Sequence, residues 1–168
     1  MIRMLPWILR VETLALGLWI GSILFFSTTA APTAFRSLDV EHAGTFIRSI
    51  FPKYYAFGIV CGVVALTGGV AVSAWAGGRL GWVSTALIGV MLATTVYARQ
   101  GLMPRVDAYR LARAEAAESD VSAYERANAS FRAAHRTSVV LNGLVLLLGV
   151  IAFLLVRMPD SPTDRAGG

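Results

Sequence analysis

Between Leu16 and Arg36 the chain reads LGLWIGSILFFSTTAAPTAFR, and no charged side chain appears until its last residue. A soluble helix pairs an apolar stripe with a polar face, and this run has no such face to offer to water. About 20 apolar residues is the length that crosses the hydrocarbon core of a bilayer. In lipid each backbone N–H and C=O must be bonded within the protein, which leaves helices and closed barrels as spanning structures. The length of the run selects a helix. Three more apolar runs follow. The spans are expected at about 13–31, 54–75, 82–98 and 137–156. The fold class is therefore all-α: an integral membrane, antiparallel four-helix bundle forming one domain over 1–157, with a disordered tail at 158–168.

Composition agrees. Hydrophobic residues make up 56% and charged residues 15%, against about 25% charged in soluble domains, and mean hydropathy is +0.63. The net charge of +5 is carried almost wholly by arginines between the apolar blocks. That pattern indicates topology signals and contact with lipid headgroups. No motif that reads nucleic acid accompanies it, so the expected partners are membrane lipids and not DNA or RNA. Cys61 is the single cysteine and cannot form an intramolecular disulfide. The preference for Arg over Lys, with abundant Ala, points to a GC-rich bacterial genome.

Arg3 and Arg10, followed by an apolar run and Thr28-Thr-Ala-Ala31, could suggest a signal peptide. The run exceeds a usual h-region and three more spans follow, so a first span is expected instead. Pro6 suits a first helical turn and Trp7 a headgroup anchor. On that span Thr13, Gly17, Gly21, Thr28 and Ala31, with Leu24, share one side of the wheel. This small-residue face is expected to receive another helix, leaving Trp19, Ile23 and Phe26 toward lipid. Pro32 is expected to end or kink the helix. Residues 33–53 are too polar to span and form an interfacial helix, capped by Asp39 and stopped by Pro52.

Tyr54 and Tyr55 open the second span as an aromatic belt. Gly58, Gly62, Gly68 and Gly69 permit close packing or a bend, and glycine-rich faces of this kind also permit a homo-oligomer. A tight loop at 76–81 makes spans two and three antiparallel. The helix formers of 99–136 continue span three past Pro104 to about Glu118. Ser122-Ala-Tyr-Glu125 fits a capping box that starts a fourth helix reaching Arg157. This gives a helical hairpin outside the membrane between spans three and four. Ten of the 15 basic residues fall on the side of the two long loops. That count predicts cytoplasmic loops and both termini outside, in an inner or plasma membrane, although Arg3 and Arg10 pull the first helix the other way.

Candidate chemistry gathers at the long-loop end. Phe131, His135, Ser138 and Asn142 share one face of the fourth helix. They could form a polar site between helices or simply bond neighbouring helices together. Arg36, Lys53, Arg99, Arg105 and Arg136 crowd the same boundary, either snorkelling to headgroups or holding an anionic ligand with Tyr54 or Tyr55. His42 and His135 are weak candidates for metal or haem, because no Cys, Asp or Glu stands beside them in ligand spacing. No ionisable residue lies near the middle of a span, as a proton-coupled transporter would need, and Glu12 reads as interfacial. Phosphate loops, nucleophile elbows and zinc-protease motifs are lacking.

Five pieces in order carry a resemblance: Gly17-Leu-Trp-Ile-Gly21, Ala31-Pro-Thr-Ala-Phe35, Ala43-Gly44, Phe51-Pro-Lys-Tyr-Tyr55 and Phe131-Arg-Ala-Ala-His135-Arg-Thr-Ser138 with Asn142. Together, over about 10–157, they resemble the transmembrane protein 205-like family, also called domain of unknown function 4149. The resemblance implies a multi-pass, four-helix membrane protein and no established reaction. A more distant likeness to membrane domains that handle copper or haem lacks their intramembrane histidines here. The expected function is thus non-enzymatic and without a cofactor. A small ligand or lipid would bind at a cytoplasmic-side pocket drawn from Arg36, His42, Tyr54, Tyr55, Arg99, His135, Ser138 and Asn142. A haem- or metal-dependent redox protein and a subunit of an oligomeric transporter or channel are the alternatives.

Overall fold

A computed structural model describes residues 4–76, 78–117 and 120–156. The tail expected to be disordered and the basic residues Arg3, Arg157 and Arg165 lie outside the described residues. The described chain forms four helical rods, each long and apolar enough to cross a membrane. The first comprises α1 (Leu5–Phe25), a π-helical turn (Phe26–Ala30) and α2 (Ala31–Ser37). The second is α3 (Val40–Ala76). The third comprises α4 (Arg79–Tyr97), a π-turn (Ala98–Leu102) and α5 (Met103–Ala116). The fourth is α6 (Val121–Leu155).

The two π-turns have one cause. A proline has no N–H, and its ring collides with the carbonyl four residues back. For Pro32 and Pro104 those carbonyls belong to Thr28 and Gln100, each inside a π-turn. Widening the helix there accommodates the ring without ending the rod. So Pro32 does not stop the first helix, which continues to Ser37.

Pro52 brings a larger correction. The expected interfacial helix is not a separate element, because α3 runs unbroken from Val40 through Pro52 to Ala76. One missing bond is tolerated because aromatic rings clamp the helix on both sides of it. Phe26 lies 5.3 Å from Phe51 and 4.9 Å from Tyr54, and Phe51 stacks on Tyr55 at 5.8 Å. The first two rods therefore make a helical hairpin of their own, turning at Leu38 and Asp39.

Caps decide the turns. Asp39 Oδ1 accepts from the amides of Glu41 and His42 at 3.1 and 3.0 Å, as expected. Gly78 has φ 104°, a conformation that favours glycine, and α4 begins at the next residue. The cap of α6 is Asp120, whose Oδ1 accepts from Ser122 and Ala123 at 2.7 and 3.2 Å. The expected capping box at Ser122 falls two residues late. Ser122 Oγ accepts instead from the Arg126 guanidinium at 3.1 Å.

The core inverts the expected faces of the first span. Leu16, Trp19 and Ile23 are buried, while Leu24 and Phe25 are exposed. Gly21 meets nothing within 4 Å. Trp19 enters a notch made by Gly58 and Gly62 on α3. A Cβ on Gly58 would lie 2.7 Å from the indole Nε1, and one on Gly62 2.8 Å from its Cζ3. The close approach is thus a large side chain against a small-residue surface, and only one of the two helices needs to supply the glycines. Ile88, Met91, Val145 and Ala152 complete the core from α4 and α6. Gly149 lets α6 approach Ile20 and Met91, each 2.9 Å from its notional Cβ. Hydroxyls in the apolar region bond back to their own helix, as Thr13 does to Leu9 at 2.8 Å and Thr95 to Met91 at 2.9 Å. Ser84 Oγ crosses to the Ala152 carbonyl at 3.0 Å.

Candidate functional site

At the long-loop end, three rods are joined by one hydrogen-bonded chain. Tyr54 donates to Asn142 Oδ1 at 2.6 Å, and Asn142 Nδ2 donates to Ser27 Oγ at 3.1 Å. The amide thereby uses its carbonyl and one of its N–H groups on other helices. In an apolar medium such a chain orders the bundle. One turn before Asn142 on α6, Ser138 lies beside the Tyr55 side chain.

Of the remaining expected residues, Arg36, His42 and His135 do not converge with these. His135 is exposed and stacks on Phe131 at 6.2 Å. His42 is exposed, and its Nδ1 bonds Asp39 Oδ2 at 2.7 Å. The backbone amide of His42, then its ring, hold the Asp39 carboxyl below the usual carboxylate range. Arg36 is exposed at the end of α2. Among the described residues no group of three His, Cys, Asp or Glu is gathered as for a metal ion.

A cleft of about 330 Å³ opens between α3 and the third rod. Arg48, Phe51, Pro52 and Tyr55 line one wall, and Arg99, Met103, Pro104 and Asp107 the other. Each set follows helical spacing, so each occupies one face. Of these residues only Tyr55 and Arg99 were expected as pocket residues. The spacing of Arg48 and Arg99 ahead of their prolines was visible in the sequence, but not that the two faces oppose each other. Arg48 donates to Thr45 Oγ1 at 2.7 Å. Asp107 is taken by Arg110 at 4.0 Å. Among the described residues neither Arg48 nor Arg99 is ion-paired. Two arginines in a cleft otherwise walled by aromatic rings, prolines and a methionine can hold an oxyanion at its rim.

The opposite end corrects a further expectation. Glu12 is not a surface side chain: it is 4% exposed, packed against Gly68 and Gly69 of α3 with Thr85 of α4 close by. Beside it Ser73 and Thr85, also buried, lie 3.1 Å apart. Arg10, two residues before it in sequence, lies over the Trp7 ring at 4.9 Å. The glycine pair Gly68-Gly69, opposite Glu12, was the available signal that something other than a bend was being accommodated.

A family model described as domain of unknown function (DUF4149) matches residues 14–115. An uncharacterized protein of Aquifex aeolicus (strain VF5) is 40% identical over 52 residues, covering 29% of this chain. The match takes in 39% of that relative's length. No solved structure matches the chain.

Proposed function

The chain belongs to the family of the domain of unknown function DUF4149 and is a multi-pass membrane protein, and we propose that it binds the headgroup of an anionic phospholipid between Arg48 and Arg99. The observation that carries this reading is the cleft itself. Two arginines, without a carboxylate partner among the described residues, line it together with Phe51, Pro52, Tyr55, Met103 and Pro104, which suit the glycerol and upper acyl region. Basic residues near a membrane surface attract anionic lipid by about 1 kcal/mol each. Arginine adds planar, two-pronged recognition of phosphate.

The same charge asymmetry supports an orientation with this end cytoplasmic and both termini outside, in an inner or plasma membrane. The order of the sequence motifs supports the transmembrane protein 205-like assignment within the family. The reading requires neither metal nor haem.

The test is native mass spectrometry of the full chain in mild detergent with phosphatidylglycerol or phosphatidylcholine. Phosphatidylglycerol adducts should dominate. Arg48→Gln with Arg99→Gln should weaken them by roughly tenfold or more, from about 1 kcal/mol per arginine. Adducts unchanged in a folded double variant would overturn the reading.

A further inference from the structure

Glu12 lies at the other end of the bundle and does not depend on the lipid cleft. We propose that Glu12, with Ser73 and Thr85, forms a proton-exchange site within the membrane, taking up and releasing a proton from the side of the chain termini.

Three glycines let the helices close tightly on Glu12, Ser73 and Thr85. A Cβ on Gly68 would lie 2.9 Å from Glu12 Cβ. One on Gly69 would lie 2.9 Å from Thr85 Oγ1 and 3.1 Å from Glu12 Oε1. One on Gly81 would lie 3.0 Å from Ser73 Oγ. Three polar side chains thus pack into one cluster between α1, α3 and α4, and a side chain at any of these glycines would collide with one of them.

The hydrogen bonds in this cluster are already allotted. Thr85 Oγ1 donates its only proton to the Gly81 carbonyl at 2.9 Å. In the contact between Ser73 and Thr85 the donor must then be Ser73. Neither hydroxyl has a proton left for a carboxylate. Glu12 Oε2 is buried without any hydrogen-bond partner.

Among the described residues no counter-charge is supplied either. Glu12 is in neither the His42–Asp39 nor the Arg110–Asp107 pair. On α1, Arg10 is exposed over Trp7. On α3, no charged residue occurs from Tyr54 to Ala76, and on α4 the one charge is Arg79, exposed at its first residue. On α6, none occurs from Thr137 to Leu155. An enclosed, unpaired carboxylate is costly. One proton cancels the charge and adds a donor. A hard metal cation instead wants several oxygen ligands, more than one carboxyl and two engaged hydroxyls provide.

Access is short from one side only. Trp7, Trp75 and Trp82 are all exposed and mark an interface belt at this end. Glu12 is five residues past Trp7, about 7–8 Å deeper at 1.5 Å per residue. Beyond it Leu16, Trp19 and Ile23 close the core.

The test uses the full chain in mild detergent, treated with dicyclohexylcarbodiimide, which adds to protonated carboxyls in apolar surroundings. Mass spectrometry of the Glu12 peptide is expected to show an adduct that is absent in Glu12→Gln. Its yield should fall roughly tenfold per pH unit once the carboxyl ionises, with the circular-dichroism spectrum unchanged. In parallel, infrared spectra of the unmodified protein should lose a protonated-carboxyl band over the same pH range. Thr85→Val should shift that midpoint and Glu125→Gln should not. The infrared titration needs no variant at Glu12, so a misfolded Glu12→Gln does not blunt the test. A carboxyl that keeps its proton from about pH 5 to about pH 9, spanning the titration of such groups, would overturn the proposal. So would the absence of any protonated-carboxyl signal, or protection of Glu12 from the reagent by sodium at constant pH.

Discussion

Trp19 fits only because Gly58 and Gly62 have no side chains. A methyl at either position would sit under 3 Å from a ring that is 2% exposed and has nowhere to move. Gly58→Ala and Gly62→Ala should each destabilise the bundle by about 1–3 kcal/mol, the usual range for overpacking. Gly21→Ala, which meets open space, should not. Denaturation in mixed micelles, followed by Trp fluorescence, checks the contrast. Asn142 permits a second prediction. Asn142→Ala removes bonds to Tyr54 and Ser27 and should cost about 0.6–2 kcal/mol, the range for interhelical polar contacts in membranes. It should leave phosphatidylglycerol adducts at their wild-type level, because Asn142 does not line the cleft. Equal loss of stability and lipid binding would tie the two sites together.

At the scale of the element, the helix ends outside the membrane depend on two aspartates. The backbone amide of His42 at Asp39, and the Ser122 hydroxyl followed by the amides of Ala123 and Ser122 at Asp120, hold both carboxyls below their ordinary range. Their folded pKa values are therefore depressed, and the stabilisation is fully present above the unfolded value. It fades as pH falls through the folded one. Protection of the Glu41, His42, Ser122 and Ala123 amides from hydrogen exchange, relative to the intrinsic rate at each pH, should fall on acidification below about pH 4, the ordinary carboxylate value. Asp39→Asn and Asp120→Asn should flatten that dependence. The π-turns belong to the same scale. Pro104→Ala removes the ring that the Gln100 carbonyl must avoid. The third rod should then relax toward regular α-helix, turning Arg99 relative to Asp107 and weakening lipid adducts. Unchanged adducts would mean that the π-turn has another cause.

Taken whole, the molecule is two helical hairpins, packed so that their long arms project from the same end. That end carries the arginine cleft, and the other carries the tryptophan belt and Glu12. Cys61 is buried, so it provides a quiet background for labelling. A cysteine placed at Val121, which is 78% exposed, should be silent to an impermeant maleimide in intact cells and react once they are opened. Labelling in intact cells would invert the proposed orientation.

Four apolar runs separated by arginine-rich segments were enough to specify a four-helix membrane bundle, because the bilayer permits few other uses of such runs. Asp39 announced its turn through a local side-chain bond to its own backbone. The burial of Trp19, the passage of α3 through Pro52 and the enclosure of Glu12 depended on partners far away in the chain. A helical wheel shows that small and large residues occupy opposite faces. It does not show which face inserts into a neighbour's notch. Proline weakens a helix wherever it stands, but whether the helix continues depends on rings such as Phe26 packing across the gap. A glutamate near a span boundary has one identity in sequence and two environments in space, and the glycines of α3 and α4 chose between them.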